Sequence, residues 1–223
     1  LQRKENLLDL KLPVILRKAL SFTRSQDKHK YQIRYNKRMA NLDIFFNPKN
    51  VAVIGASRTP GKIGYAILES LKHSFKGKIY PINPYTTEIL GLEVFPSLKE
   101  IEDKIDLAVI AVPAEGVKTA LEECIKKKIA GAIIISSGFS ETGQKGLELE
   151  LKKLKKSIRM VGPNCLGTFS ATGFDNMFLD RKKLKRPSDG QIDIISQSGA
   201  IGASLLDVAA NEGVGISKFI SIG

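Results

Sequence analysis

The 223-residue sequence contains no tryptophan, only two histidines and only two cysteines, and each shortage closes off a class of chemistry. Cys124 and Cys165 are far apart and show no CxxC spacing, so neither a disulfide framework nor a cysteine-based metal site is encoded. A reducing compartment, hence a cytoplasmic location, is expected, and no metal ligands are assigned. No apolar run approaches the ~18 residues needed for a membrane-crossing helix. The amino-terminal stretch also lacks the apolar core and small-residue cleavage site of a secretory leader. His29 lies in a basic stretch and His73 near a predicted helix end, so no serine or cysteine has a histidine partner in view. Hydrophobic residues at 43% and charged residues at 26% are the proportions of an ordinary folded domain, which excludes wholesale disorder and fibrous composition.

Acidic residues are also in short supply, and the formal net charge is +12. The excess is local. Residues 1–40 hold eleven Lys or Arg against three acids, whereas residues 41–223 hold 24 against 20. The basic character therefore belongs to an extension over residues 1–43 and says little about what the body binds. No nucleic-acid or membrane partner is assigned. Leu8, Leu12, Ile15, Leu16 and Leu20 give that extension a weak helical spacing, and Met39 is a candidate start.

The body reads as alternating strands and helices. Apolar, β-branched segments at 51–55, 78–82, 106–112, 130–135 and 158–161 alternate with helical patterns at 63–73, 115–127 and 145–156. A short strand at 92–95 and a small helix at 98–101 lie between. Continuous apolar strands separated by amphipathic helices predict a parallel sheet covered on both faces, an α/β, Rossmann-like doubly wound domain over residues 44–168. Residues 165–190 lack periodicity. A new unit follows, with a strand at 191–195, a helix at 200–211 and a strand at 216–220. We read residues 169–223 as the beginning of a second α/β domain.

In such a fold ligands bind beyond the carboxyl ends of the strands, where helix N-termini present free N–H groups. The loop Gly55-Ala56-Ser57-Arg58-Thr59-Pro60-Gly61-Lys62-Ile63-Gly64 suits a phosphate. It is not GxGxxG, and Ile63 replaces the hydroxyl that a Walker loop places on magnesium. Asn83 stands where nicotinamide enzymes carry an acid for the ribose. Val112-Pro113 and Ser137-Gly138 follow neighbouring strands. Ser196-Gln197-Ser198-Gly199-Ala200 fails the nucleophile-elbow pattern at both glycines and reads better as an anion cradle built from Ser198 and Gly199 at a helix start. Cys165 reads as a small buried thiol.

Together, Asn50-Val51-Ala52-Val53-Ile54-Gly55-Ala56-Ser57, Tyr80-Pro81-Ile82-Asn83-Pro84, Leu107-Ala108-Val109-Ile110-Ala111-Val112-Pro113, Ile134-Ile135-Ser136-Ser137-Gly138-Phe139, Gly162-Pro163-Asn164-Cys165-Leu166-Gly167 and Ile195-Ser196-Gln197-Ser198-Gly199-Ala200 resemble, in order, the α portion of nucleoside-diphosphate-forming acyl-CoA synthetases. The resemblance covers about residues 44–223. It implies a CoA-binding Rossmann-like domain followed by the start of a flavodoxin-like CoA-ligase domain. It also implies the reaction acyl-CoA + ADP (or GDP) + phosphate to acid + CoA + ATP (or GTP), through an acyl phosphate and a phosphohistidine.

By this likeness Gly55, Ser57, Arg58, Gly61, Lys62, Ile63, Asn83, Val112, Pro113, Ser137, Gly138 and Asn164 contact coenzyme A, and Ser198 and Gly199 hold a phosphate. The implied partners are a small carboxylic acid, an ATP-grasp domain or subunit that brings ADP/ATP and Mg2+, and further copies in an oligomer. Two departures stand out. Tyr85 replaces the lysine that often follows the Asn-Pro pair, leaving Arg58 or Lys62 as the substitute cation. The family histidine is expected beyond Gly223. A synthetase-like region fused to a lysine acetyltransferase and a stand-alone CoA-binding regulator are the alternative readings.

Overall fold

The apolar segments of the first region pair side by side as parallel strands, and their alternating side chains build two cores. The computed structural model of the protein describes residues 42–223. The weak helical pattern of the extension, Met39 and His29 lie outside the described residues. Strands β1 (Asn50–Ile54), β2 (Lys78–Ile82), β5 (Leu107–Ile110), β6 (Gly131–Ile134) and β7 (Arg159–Val161) form one sheet in the order β2-β1-β5-β6-β7. The registers run Val51 to Leu107 and Leu107 to Gly131.

Val51, Val53, Leu107, Val109, Ile133 and Ile135 point to one face, where they meet Ile67, Leu68 and Leu71 of helix α1 (Ile63–Ser74). Ala52, Ile54, Ala108, Ile110, Ala132 and Ile134 point to the other, against Val117, Leu121 and Cys124 of α2 (Ala114–Lys126) and Leu151 of α3 (Lys145–Leu154). A two-residue period feeding two dry faces is what a parallel sheet requires. The predicted strand at 92–95 is found as β4 (Leu92–Glu93), which pairs with β3 (Glu88–Ile89) in a hairpin, and Phe95 bridges to Ile82 on the edge strand.

The stretch without periodicity contains regular structure. Thr168–Ser170 and Phe174–Asp175 form a hairpin, β8 and β9, that joins β10 (Ile192–Ser196) and β11 (Ile216–Ser221) in a mixed sheet ordered β10-β11-β8-β9. β10 and β11 are parallel and β8 is antiparallel to β11. Sequence patterning missed the hairpin because strands of two or three residues have no room for a period. Helix α4 (Gly199–Asn211) lies on this sheet, and Gly202 makes the approach close: a Cβ there would stand 2.5 Å from the Phe219 ring. Leu166, Phe169, Met177, Leu206 and Phe219 form the core beneath it. Phe174 belongs instead to the core under α1 and meets Phe75 edge-on at 5.4 Å, so the hairpin packs against both sheets.

Asp175 is fully buried and anchors the polar segment that follows. Its Oδ2 accepts from Arg186 Nε at 2.8 Å and from Arg181 Nη1 at 2.5 Å, and Oδ1 accepts from the Met177 amide. Arg186 also donates to the carbonyls of Leu184 and Leu179. Removing one partner of a buried pair leaves an uncompensated charge, which costs about 3–5 kcal/mol. Asp175→Asn is therefore expected to lower the denaturant midpoint by the equivalent of about 3 kcal/mol, the lower end of that range, because the amide oxygen still accepts. Equilibrium unfolding of the two proteins checks this.

Candidate functional site

Counting parallel strands only, the order of the first sheet is 2-1-3-4-5, and the direction in which successive strands are added reverses between β1 and β5. Loops leaving neighbouring strands on opposite sides open a crevice at that switch point. Here two backbones meet with no side chain between them. Gly55 has φ +91°, and a Cβ on it would stand 2.6 Å from the Ala111 carbonyl oxygen. Gly64, in the first turn of α1, is tighter still: a Cβ would stand 2.0 Å from the Gly55 carbonyl oxygen. The helix start can reach the strand end only as glycine. Gly64 was not among the candidates singled out from the sequence; its place at the start of α1, closing the loop that Gly55 opens, is the signal.

The loops follow the strand order. Asn83 lies after β2, residues 55–62 after β1, Val112 and Pro113 after β5, Ser137 and Gly138 after β6, and Asn164 after β7. Ser57 Oγ accepts from the Thr59 amide at 3.1 Å and folds the first loop on itself. Arg58, Gly61, Lys62 and Ile63 are exposed, and Gly61 (φ +85°) has no atom within 4 Å of an added Cβ. Lys62 precedes α1 with an extended backbone and no side-chain cap, and Pro113 likewise precedes α2 without one. The first N–H groups of a helix have no partner within it, so both helix starts offer donors at the switch point.

Asn83 is committed to structure: its Nδ2 donates to the Ala56 carbonyl at 2.8 Å and its Oδ1 accepts from the Tyr85 amide at 2.8 Å. It ties the β2 loop to the β1 loop. Tyr85 itself projects into solvent, 90% exposed. Ser136 Oγ donates to the Val112 carbonyl at 2.5 Å, joining the next two loops.

Asn164 belongs to a second cleft, of about 900 Å³, whose walls include Glu141, Glu148, Asn164, Ser196, Ser198 and Ile201. Ser198 caps α4, accepting from the Ile201 amide at 3.3 Å, so its hydroxyl oxygen already holds one first-turn N–H. Gly199 is the first residue of that helix and packs on Leu166, whose Cβ would lie 3.2 Å from a Cβ added to it.

Glu141 was not foreseen. Burial raises its carboxyl group, but the backbone amides of Gly138, Glu141 and Phe139 outweigh that and hold it below the ordinary carboxylate range. Cys165 is buried, and its thiol donates to the Ile134 carbonyl at 3.2 Å. Burial pushes it up to about 12, which removes it as a nucleophile. His73 is exposed in the last turn of α1, away from every loop described. Among the described residues no group of three metal-ligating side chains comes together, and no helix is long and apolar enough to cross a membrane.

A CoA binding domain family matches residues 49–170, and a succinyl-CoA ligase like flavodoxin domain family matches residues 189–223. The chain belongs to the CoA-binding domain family. It is 49% identical over 178 residues to an ADP-forming acetate–CoA ligase of Methanocaldococcus jannaschii, covering 79% of this chain and 25% of that protein. It is 42% identical over 186 residues to the α subunit of ADP-forming acetate–CoA ligase II of Pyrococcus furiosus, covering 82% of this chain and 40% of the relative. Among solved structures, the acetyl-coenzyme A synthetase 1 of Ca. Korarchaeum cryptofilum, in complex with phosphate and ADP, superposes with a TM-score of 0.75 at 40% identity, over 82% of this chain and 39% of that one. The chain thus spans a quarter to two-fifths of the length of these relatives.

Both switch-point glycines lie inside the CoA-binding domain match, and the Ser198 loop lies inside the flavodoxin-like match. The close approach at the switch point can be tested directly. Gly64→Ala drives a methyl group into a backbone carbonyl and is expected to cost about 3 kcal/mol, the upper end of overpacking. Gly61→Ala meets no atom and pays only its left-handed φ, about 1 kcal/mol. Thermal melts of the two variants should separate in that order.

Proposed function

We propose that residues 44–168 bind coenzyme A across the β1/β5 switch point and that the chain is the CoA-binding part of an ADP-forming acid–CoA ligase. The observation that carries this reading is the glycine-only contact at the switch point, where uncapped helices follow the neighbouring strands β1 and β5 within the family match. The amides of the α1 start at Ile63 would take phosphate oxygens, with Ser57 and Gly61 shaping the loop and Arg58 and Lys62 supplying exposed positive charge. Val112, Pro113, Ser137 and Gly138 would line the groove that carries the rest of the cofactor toward Asn164. Asn83 holds the groove's outer wall in place.

In the second cleft, Ser198 and Gly199 would hold a phosphoryl group through the α4 start. Two anion sites suit a reaction that passes phosphate between carriers, acyl-CoA + ADP + phosphate giving acid + CoA + ATP. The acid, the nucleotide with its Mg2+, and an ATP-grasp domain or subunit complete the proposal. So do a cytoplasmic location, assembly into an oligomer and residues 169–223 as the start of the ligase domain.

Calorimetric titration of the protein with CoA, with NAD and ATP in parallel, tests the reading. Saturable CoA binding is expected, weakened about tenfold by the double change Arg58→Ala with Lys62→Ala and weakened further by salt, as for two exposed phosphate contacts. The melting temperature should not move, because both side chains are exposed. Binding of NAD in place of CoA would return the chain to the dinucleotide-binding class.

A further inference from the structure

The two walls of the second cleft carry opposite polarity. On one side Ser196, Ser198 and Ile201 surround the start of α4, the positive end of a 13-residue helix dipole. On the other stand Glu141 and Glu148. Their charges are not equivalent. Glu148 is ion-paired with Lys152 at 2.7 Å, whereas among the described residues no cation lies within ion-pair distance of Glu141.

Nor is Glu141 free to swing aside. Its Oε1 accepts from the Gly138 amide at 2.6 Å. The turn that carries it is fixed by the fully buried Phe139, whose carbonyl accepts from the Thr142 amide, the Thr142 hydroxyl and the Gln144 amide. Glu141 therefore presents a fixed, unneutralised carboxylate to the cleft. The Gly138 amide, a candidate ligand contact, is already taken by it.

We propose that Glu141 is a specificity-determining residue of this cleft: it excludes anionic groups from its own wall, confines phosphate to the Ser198–Gly199 end, and favours uncharged hydrogen-bond donors, such as a thiol or an amide N–H, beside itself. The inference rests on the phosphate site proposed above for Ser198 and Gly199. A ligand with one anionic and one neutral end would then enter in a single orientation.

The test is titration of the protein with inorganic phosphate in low-salt buffer, for the unchanged chain, Glu141→Gln, Glu141→Ala and Ser198→Ala. Glutamine keeps an acceptor for the Gly138 amide, so its melting temperature should not change. A like charge across a solvated cleft is worth about a three- to fivefold change in affinity, so Glu141→Gln should tighten phosphate by that factor, with the gain fading in high salt. Glu141→Ala should also tighten binding even where its melting temperature falls, which a purely structural role cannot produce. Binding by Glu141→Gln that equals or falls below that of the unchanged chain overturns the inference, while a loss in Ser198→Ala would leave the phosphate site standing. Absence of saturable phosphate binding in all four proteins overturns both.

Discussion

At the carboxyl edge of the first sheet two stretches of backbone pass within contact distance, and the position of the α1 start and of the loop before it depends on that contact. Gly55 approaches the Ala111 carbonyl and Gly64 approaches the Gly55 carbonyl, at distances where a single methyl group would overlap backbone oxygen. Because no side chain intervenes, α1 starts directly over the end of β1, and the loop between them must bulge outward. That is why Arg58, Gly61 and Lys62 are exposed while Gly64 is buried. Backbone N–H groups, not side chains, become the chemistry of the crevice. The device recurs after β7, where a Cβ on Gly162 would lie 2.4 Å from the Ile134 carbonyl oxygen, and where one on Gly223 would lie 1.9 Å from that of Pro163.

Such contacts hold only if the strands beneath them are rigid. All four residues of both β5 and β6 are buried, and their side chains alternate between two separate cores. The apolar area removed from water on both faces fixes the strand ends, and the strand ends fix the loops. Side-chain hydrogen bonds then stitch loop to loop: Asn83 to Ala56 across β2 and β1, and Ser136 to Val112 across β6 and β5. Asn83 is engaged at both ends of its amide within the protein, which fixes its place between the two loops.

Much of the first sheet was legible in the sequence because each element was long enough to show its period. β2 was foreseen at its observed bounds, and α1 differs by one residue at its end. The placement of the candidate loops in strand order was legible for the same reason, as the consequence of parallel topology. Three things were not. The β8–β9 hairpin is too short to display alternation, and Phe174 in it packs under α1, a non-local contact with no sequence signature. The anchoring of residues 176–190 on Asp175 depends on two arginines 6 and 11 residues away, among several exposed basic side chains nearby. Glu141 reads in sequence as an ordinary turn acid; only its contact with the Gly138 amide sets it apart.

The two clefts differ in how they handle charge, and that difference follows from how their helices begin. α1 and α2 start without side-chain caps, so no side chain takes up their first N–H groups, and exposed cations stand beside α1. α4 starts with a Ser198 cap and faces a fixed carboxylate. An anion therefore meets donors and positive charge at the switch point, but in the second cleft it meets a narrower choice between a partly spent helix start and Glu141. The first arrangement favours retention of a polyanionic cofactor. The second suits a group that must be positioned briefly and released, because binding there is opposed as well as favoured.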